Sequence, residues 1–453
     1  ELCAMATCVY LLLLLLSLML LSAAPASGIG VNYGTFGDNL PPPSQVAQFL
    51  KTRTIFNSIK LFDANPQILR AFADTGITVT ISTYNHEISP LTNLNFAKNW
   101  VANNVSPYHP RTIIRRILVG NEILLSNNKE WMYNLVPAMR TLHQALVLSG
   151  FRNIQVTTPH YLGVLRISEP PSAAQFHYEQ DIFVPMLRFL RETRSPFMFN
   201  PYPYFAYSPA KGNYALFRRN PGVRDPYTRI TYTNMYDAMM DSVHSAMKRV
   251  GFGDVDIVVG ETGWPTKCEP NQLECNSQNA AWFNRQIILR SQRRLGTPLM
   301  PKRKFETYVF SLFNENLKPG PTTERNWGLF RHDFSPVYDA GILRQNGGGG
   351  GRRRVGKSWC VPKAGVAVNQ LQANINYACS QVNCRPIQNG GVCFNPNDVR
   401  SHAAFAMNSF YQTHGRRGFT CDFSGSGQLI TINPSNFLYF LLFCFLIDSF
   451  TFE

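Results

Sequence analysis

The sequence predicts an α/β architecture: a (β/α)8 barrel followed by a small disulfide-stapled module. Three observations carry that prediction. Eight short β-type runs separated by helix-like stretches occupy the chain between Ile29 and Glu315, and strand followed by helix in steady alternation is the pattern of a closed parallel barrel. A stretch that cannot hold a fixed backbone, "QNGGGGGRRRVGK" from Gln345, follows where that pattern stops. Beyond it Cys360, Cys379, Cys384, Cys393 and Cys421 crowd together, at the density of a small domain that relies on disulfides for stability.

The runs come in the order "IGVNYG" from Ile29, "SIKLFD" from Ser58, "ITVTIS" from Ile77 and "IIRRILVGNE" from Ile113. "IQVTTPH" from Ile154, "FMFNPYPYF" from Phe197, "DIVVGETGWP" from Asp256 and "ETYVFSLFNE" from Glu306 complete the set. Each is rich in β-branched or aromatic residues and ends in polar or turn residues. Between them "PPSQVAQFLKT", "NPQILRAFADTG", "LNFAKNWVANNV" and "YNLVPAMRTLHQALVLSG" repeat apolar residues every three or four positions, and two of them close on glycine. A doubly wound sheet is the competing reading. It wants a Gly-rich phosphate turn after the first strand, which "VNYGTFGDN" does not supply. The chain divides into residues 1–27, 28–344 (barrel), 345–358 (linker), 359–434 (Cys-rich module) and 435–453.

The two ends bear on compartment. The apolar run Val9–Leu21, followed by Ala24-Pro25-Ala26, reads as a secretory signal, although no Lys or Arg precedes it. Secretion to the cell wall permits disulfides. "FLYFLLFCFLI" from Phe437, behind the small residues of "SGSG" from Ser424, resembles a signal for a glycolipid anchor on the plasma membrane. Asp448 and Glu453 dissent. A formal net charge of +15 comes without the basic stripe and base-reading chemistry of a nucleic-acid binder. It suits a monomer with a soluble basic surface, held near acidic wall polymers. No metal, nucleotide or other cofactor motif is present.

In a barrel of this kind chemistry gathers where the strands end. Run four ends in Asn121-Glu122, run seven in Glu261 and run eight in Glu315. Run one ends in Tyr33, and run six in Tyr202, Tyr204 and Phe205. Two carboxyl groups facing each other across a mouth lined with aromatic rings are what glycoside hydrolysis needs: one protonates the leaving oxygen, the other attacks the anomeric carbon or activates water. Taken singly, Glu122 could merely cap the next helix and Glu261 could be a solvated loop carboxylate.

The motifs "GVNYG", "KLFDANP", "VGNE", "NPYPYFAY", "GFGDVDIVVGETGWP" and "FNENLKPGPTTERNWGLF" resemble those of glycoside hydrolase family 17, the plant endo-β-1,3-glucanases, nearly end to end over the barrel. The resemblance implies a retaining enzyme acting on callose-type glucan, with Glu122 as acid/base and Glu261 as nucleophile. It implies accessory roles for Glu315, Lys318 and Glu324, a sugar-orienting role for Asn121, and a cleft lined by Tyr33, Tyr202 and Phe205. A non-catalytic callose-binding scaffold and a hydrolase of mixed-linkage glucan are the alternatives. Gly260 stands where the family more often has Ala. Cys268 and Cys275, which the family often lacks, are expected to form a disulfide that pins the loop beside Glu261.

"WCVPKAG", "LQANINYACS", "CRPIQNGGVCFNPN" and "GFTCDFSGSG" resemble carbohydrate-binding module family 43, the callose-binding domain. That resemblance implies Cys360 paired with Cys421 and Cys379 with Cys384. It places the partner of Cys393 shortly after "INPS", where this chain has none before Cys444. The expectation is that Cys393 lacks its partner and that the module is marginally stable.

Overall fold

The computed structural model describes residues 28–344, 358–413, 416, 418–421, 423 and 425–431. The expected signal and C-terminal tail, and all but the last residue of the expected linker, lie outside them.

The large sheet is parallel and runs β1 (Ile29–Asn32), β2 (Ser58–Lys60), β3 (Thr78–Ser82), β4 (Ile113–Leu118), β5 (Gln155–Thr157), β6 (Pro159–Tyr161), β7 (Phe197–Asn200), β8 (Ile257–Thr262) and β9 (Thr307–Val309). β1 pairs with both β2 and β9. The fifth barrel strand is split at Thr158: β5 pairs with β4, and β6 pairs with β7. Proline has no amide hydrogen to give to a ladder, and Pro159 sits where the strand changes partner. The two halves together close the barrel.

Helices α1 (Pro43–Arg53), α2 (Pro66–Ala71), α3 (Leu94–Asn104), α4 (Lys129–Leu148), α5 (Val184–Glu192), α6 (Met235–Arg249) and α7 (Ser277–Arg293) surround it. Five start the same way. The side chains of Asn65, Asn93, Asn128, Asn234 and Asn276 accept backbone N–H bonds of the first turn, satisfying donors that have no partner inside the helix. The eightfold alternation is incomplete. Among the described residues no α-helix lies between β9 and Arg344, where the barrel ends, only the 3-10 turn Thr322–Arg325. Pro319, Pro321 and Pro336 break that segment, and it lacks helical periodicity. Its end is fastened instead to α1, through Arg344 N–H donating to Arg53 O and Ile55 N–H to Ile342 O.

The barrel interior is layered. Leu118, Met198, Val258 and Tyr308 form an apolar plug separate from the main core. At the strand starts the fully buried Arg116 donates to both oxygens of Glu306, at 3.2 Å each, and to Gln155. Tyr308 donates to Glu306 at 2.8 Å. A buried charge stays only when paired and hydrogen-bonded in this way.

The second unit pairs β10 (Trp359–Pro362) antiparallel with β11 (Gly427–Ile430) and packs α8 (Val368–Cys379) on α9 (Val399–Thr413). Its core is Leu371, Ala403, Ala406, Met407, Phe410 and Tyr411, with cysteines among them. Cys360–Cys421 and Cys379–Cys384 are disulfides. Cys393 is disulfide-bonded as well, which corrects the expectation that it lacks a partner. Sequence spacing is a poor guide here, since a disulfide requires only that two Cα atoms come within about 7 Å. Trp282 of α7 packs on both cores, 6.5 Å from the Phe410 ring. Arg218 lies over the Tyr377 ring at 5.2 Å.

Candidate active site

Glu261 is carried by β8, and its aim depends on an irregularity. Val258 points into the apolar plug and Val259 into the core outside the barrel. Strict alternation would turn Gly260 inward and Glu261 outward. The register between β8 and β9 slips there: Val259 pairs with Thr307 but Thr262 pairs with Val309. One extra residue on β8 forms a bulge, which re-aims the side chains after it. Glu261 thus reaches the mouth of the barrel while only 6 % exposed.

Two groups hold its carboxylate. Lys60 Nζ, fully buried at the end of β2, lies 2.7 Å from Oε1, and Tyr202 donates its hydroxyl to Oε2 at 2.9 Å. Burial lowers the proton affinity of Lys60, and the charge of Glu261 opposes that. Tyr202 is pushed well up by burial and by the same carboxylate. The two groups fix the Glu261 carboxylate from either side.

Glu122 follows β4 in a left-handed backbone conformation, φ 49° and ψ 45°, a region that costs a non-glycine residue about 1–3 kcal/mol. It starts the turn Ile123–Ser126, but its side chain makes no capping bond there, so the helix-cap reading does not hold. Its Oε1 instead accepts from Asn200 Nδ2 at 2.8 Å. Burial first, then the charge of Glu261, raise its carboxyl to about 7, against the Asn200 hydrogen bond and Lys60. One carboxyl is held between Lys60 and Tyr202 while the other is poised to carry a proton near neutrality.

Gly260 has a physical role in this arrangement. A Cβ there would meet Asn200 Oδ1 and Met198 at 2.7 Å. The missing methyl leaves room for the amide that serves Glu122.

A cavity of about 670 Å³ brings together Asn121, Glu122, Tyr202, Phe205, Glu261, Glu315, Lys318 and Glu324. Asn121 Oδ1 is buried without a hydrogen-bond partner, the condition of a group awaiting a hydroxyl. Lys318 and Glu324 pair at 2.9 Å. Glu315 accepts from Phe36 N–H at 2.9 Å, packed so close to Gly34 that a Cβ there would strike its carboxylate. Phe205 is 65 % exposed, with its ring 6.1 Å from Trp327. Tyr33 is placed elsewhere: it is buried edge-on to Phe313 and does not line this cavity.

Cys268 and Cys275 are bonded, and Tyr204 lies against both sulfurs. Their loop reaches two parts of the site. Glu274 O accepts from Trp264 Nε1, and Glu269 accepts from Thr322 N–H on the turn that carries Glu324. Among the described residues no group of three or more His, Cys, Asp or Glu could hold a metal ion.

The family model "Glycosyl hydrolases family 17" matches residues 29–342. The chain belongs to that family. A second model, the X8 domain, matches residues 358–428. A glucan endo-1,3-beta-glucosidase of Triticum aestivum is 48 % identical over 91 % of this chain and 94 % of that protein. Glucan endo-1,3-beta-glucosidase 7 of Arabidopsis thaliana is 41 % identical over 95 % of this chain and 87 % of its own length. Among solved structures, a β-1,3-glucanase and allergen of Cryptomeria japonica pollen superposes with TM-score 0.65 at 38 % identity, covering 69 % of this chain and 98 % of that one.

Lys60 and Asn200 were not singled out from sequence in this family 17 chain. Lys60 had a signal: a charged residue inside the apolar run "SIKLF" must be paired if the strand is buried. For Lys60→Met we expect kcat/KM to fall by about 10²-fold or more, because Glu261 loses one of the two groups that position it and a small misplacement of a reacting group costs about 10²-fold. The loss should fall on kcat rather than on KM, and Lys60→Arg should restore part of it. A loss confined to KM or to thermal stability would reduce Lys60 to a packing residue.

Proposed function

We propose that this chain is a retaining endo-β-1,3-glucanase in which Glu261 is the nucleophile and Glu122 the acid/base. The observation that carries the roles is the contrast at one cavity between a carboxylate held by Lys60 and Tyr202 and a carboxyl raised to about 7. A glucan chain lying across Phe205 and Asn121 presents one glycosidic bond between the two. A Glu261 oxygen bonds to the anomeric carbon as the bond to the glycosidic oxygen breaks, and Glu122 gives that oxygen its proton. Glu122, now a carboxylate, takes a proton from water. The water oxygen displaces Glu261 from the anomeric carbon, and the configuration is restored by two inversions.

NMR of freshly cleaved soluble β-1,3-glucan should show the β-anomer first. Initial α-anomer would remove the covalent step, and faster cleavage of mixed-linkage than of β-1,3-glucan would replace the substrate. The proposed setting is the cell wall outside the plasma membrane, supported by the Val9–Leu21 run and by disulfides in both units.

A further inference from the structure

A second cavity, of about 730 Å³, opens at the start of strands β4, β5, β7, β8 and β9, the end of the barrel opposite the two glutamates. Its lining includes six cations, Arg115, Arg116, Arg191, Arg194, Arg294 and Lys304, against three carboxylates, Asp254, Asp256 and Glu306. Arg115 and Arg116 are committed to Glu306 at 3.4 and 3.2 Å, and Arg191 is committed to Asp254. Arg194, Arg294 and Lys304 are exposed and form no ion pair among the described residues. The cavity therefore carries a surplus of three positive charges in a concave wall, where a field is focused rather than dispersed.

We propose that this floor cavity binds an acidic polysaccharide, with the free guanidinium and ammonium groups taking the carboxylates of successive uronate units. The volume suits a short run of sugars rather than a single ion. Guanidinium groups fit planar carboxylates in bidentate fashion. Among the described residues no aromatic lines the cavity, so the bases of a nucleic acid would find nothing there to stack on. Because the site faces away from Glu122 and Glu261, a chain bound there leaves the cleft open: the barrel can be held on an acidic matrix while it cleaves a neutral glucan. This inference does not depend on the roles of the two glutamates.

The test is affinity of the full chain for immobilised polygalacturonate across a salt series. The triple variant Arg194→Glu, Arg294→Glu, Lys304→Glu should bind roughly tenfold more weakly or worse. A triple of equal charge change at the other end of the barrel, Arg219→Glu, Arg224→Glu, Arg229→Glu, should lose far less. Hydrolysis of soluble β-1,3-glucan by the floor variant should be unchanged, which also shows that it folds. If the reversal disturbs folding, the glutamine triple at the same positions serves, with a smaller loss in the same order. Equal losses in the two triples would reduce the effect to net charge and overturn the proposal. So would wild-type binding by the floor triple, or tighter retention on duplex DNA than on polygalacturonate at the same salt.

Discussion

Glu261→Gln is expected to abolish turnover, with kcat reduced on the order of 10⁴-fold or more, as when a covalent catalyst is removed, while glucan still binds. An amide has no anionic oxygen to attack the anomeric carbon. The groups that would contact sugar elsewhere in the cavity, Asn121 and Phe205 among them, are untouched. The substitution also strands Lys60, fully buried and 2.7 Å from the replaced carboxylate. An uncompensated buried charge costs about 3–5 kcal/mol, so thermal stability should drop along with activity. Chemical rescue separates the roles. In Glu261→Gly, azide should enter the vacated space, attack from the same face and give an α-glycosyl azide. A β-azide from this variant, or full activity in Glu261→Gln, would reverse the assignment.

Glu122→Gln should reduce kcat/KM on glucan by about 10²–10⁴-fold, the span for loss of a general acid–base. An activated aryl glycoside, whose leaving group needs no proton, should lose far less in the first step. The pH dependence follows from the raised carboxyl. Glu122 donates only while protonated, so kcat/KM should fall as pH rises through about 7, and the residual rate of Glu122→Gln should lack that limb. The same group affects stability with a defined sign. Between the usual carboxylate value and about 7 the folded protein holds a proton that the unfolded chain has released. Stability contributed by this residue therefore declines as pH rises through that window, by up to about 3 kcal/mol. Glu122→Gln should melt at a higher temperature than the wild type at pH 8 and close to it at pH 4. A lower melting temperature at pH 8 would contradict the burial argument.

The strand order and the residues of the main cavity were legible in the sequence for a simple reason. In a parallel barrel every strand end arrives at the same face, so Glu122, Tyr202, Glu261 and Glu315 could be brought together by counting strands alone. What counting could not give is which way each side chain turns. Tyr33 follows β1 just as Tyr202 follows β7, yet it packs on Phe313 while Tyr202 reaches Glu261. Alternation along a strand decides that, and it cannot be phased without the neighbouring strands. Lys60 and Asn200 escaped notice because each acts through another residue, and such partners show only when two distant strands are seen side by side. The missing helix after β9 was obscured by a regular alternation that invited an eighth repeat. The pairing of Cys393 was obscured by spacing.

The bulge in β8 makes parity part of the function. A strand has two faces, and each residue belongs to one of them by odd or even count from its neighbours. On β8 the count that seats Ile257 and Val259 in the outer core differs by one from the count that delivers Glu261 to the cleft. The fold could therefore survive an edit that the chemistry could not. One residue added to β9 opposite the bulge, between Thr307 and Val309, would restore a regular ladder and leave Ile257 and Val259 in the outer core, yet strict alternation along β8 would then turn the Glu261 carboxylate to the wrong side of the sheet. Tolerance of the barrel to change at this point and tolerance of its activity are separate properties, divided by a single residue in the count.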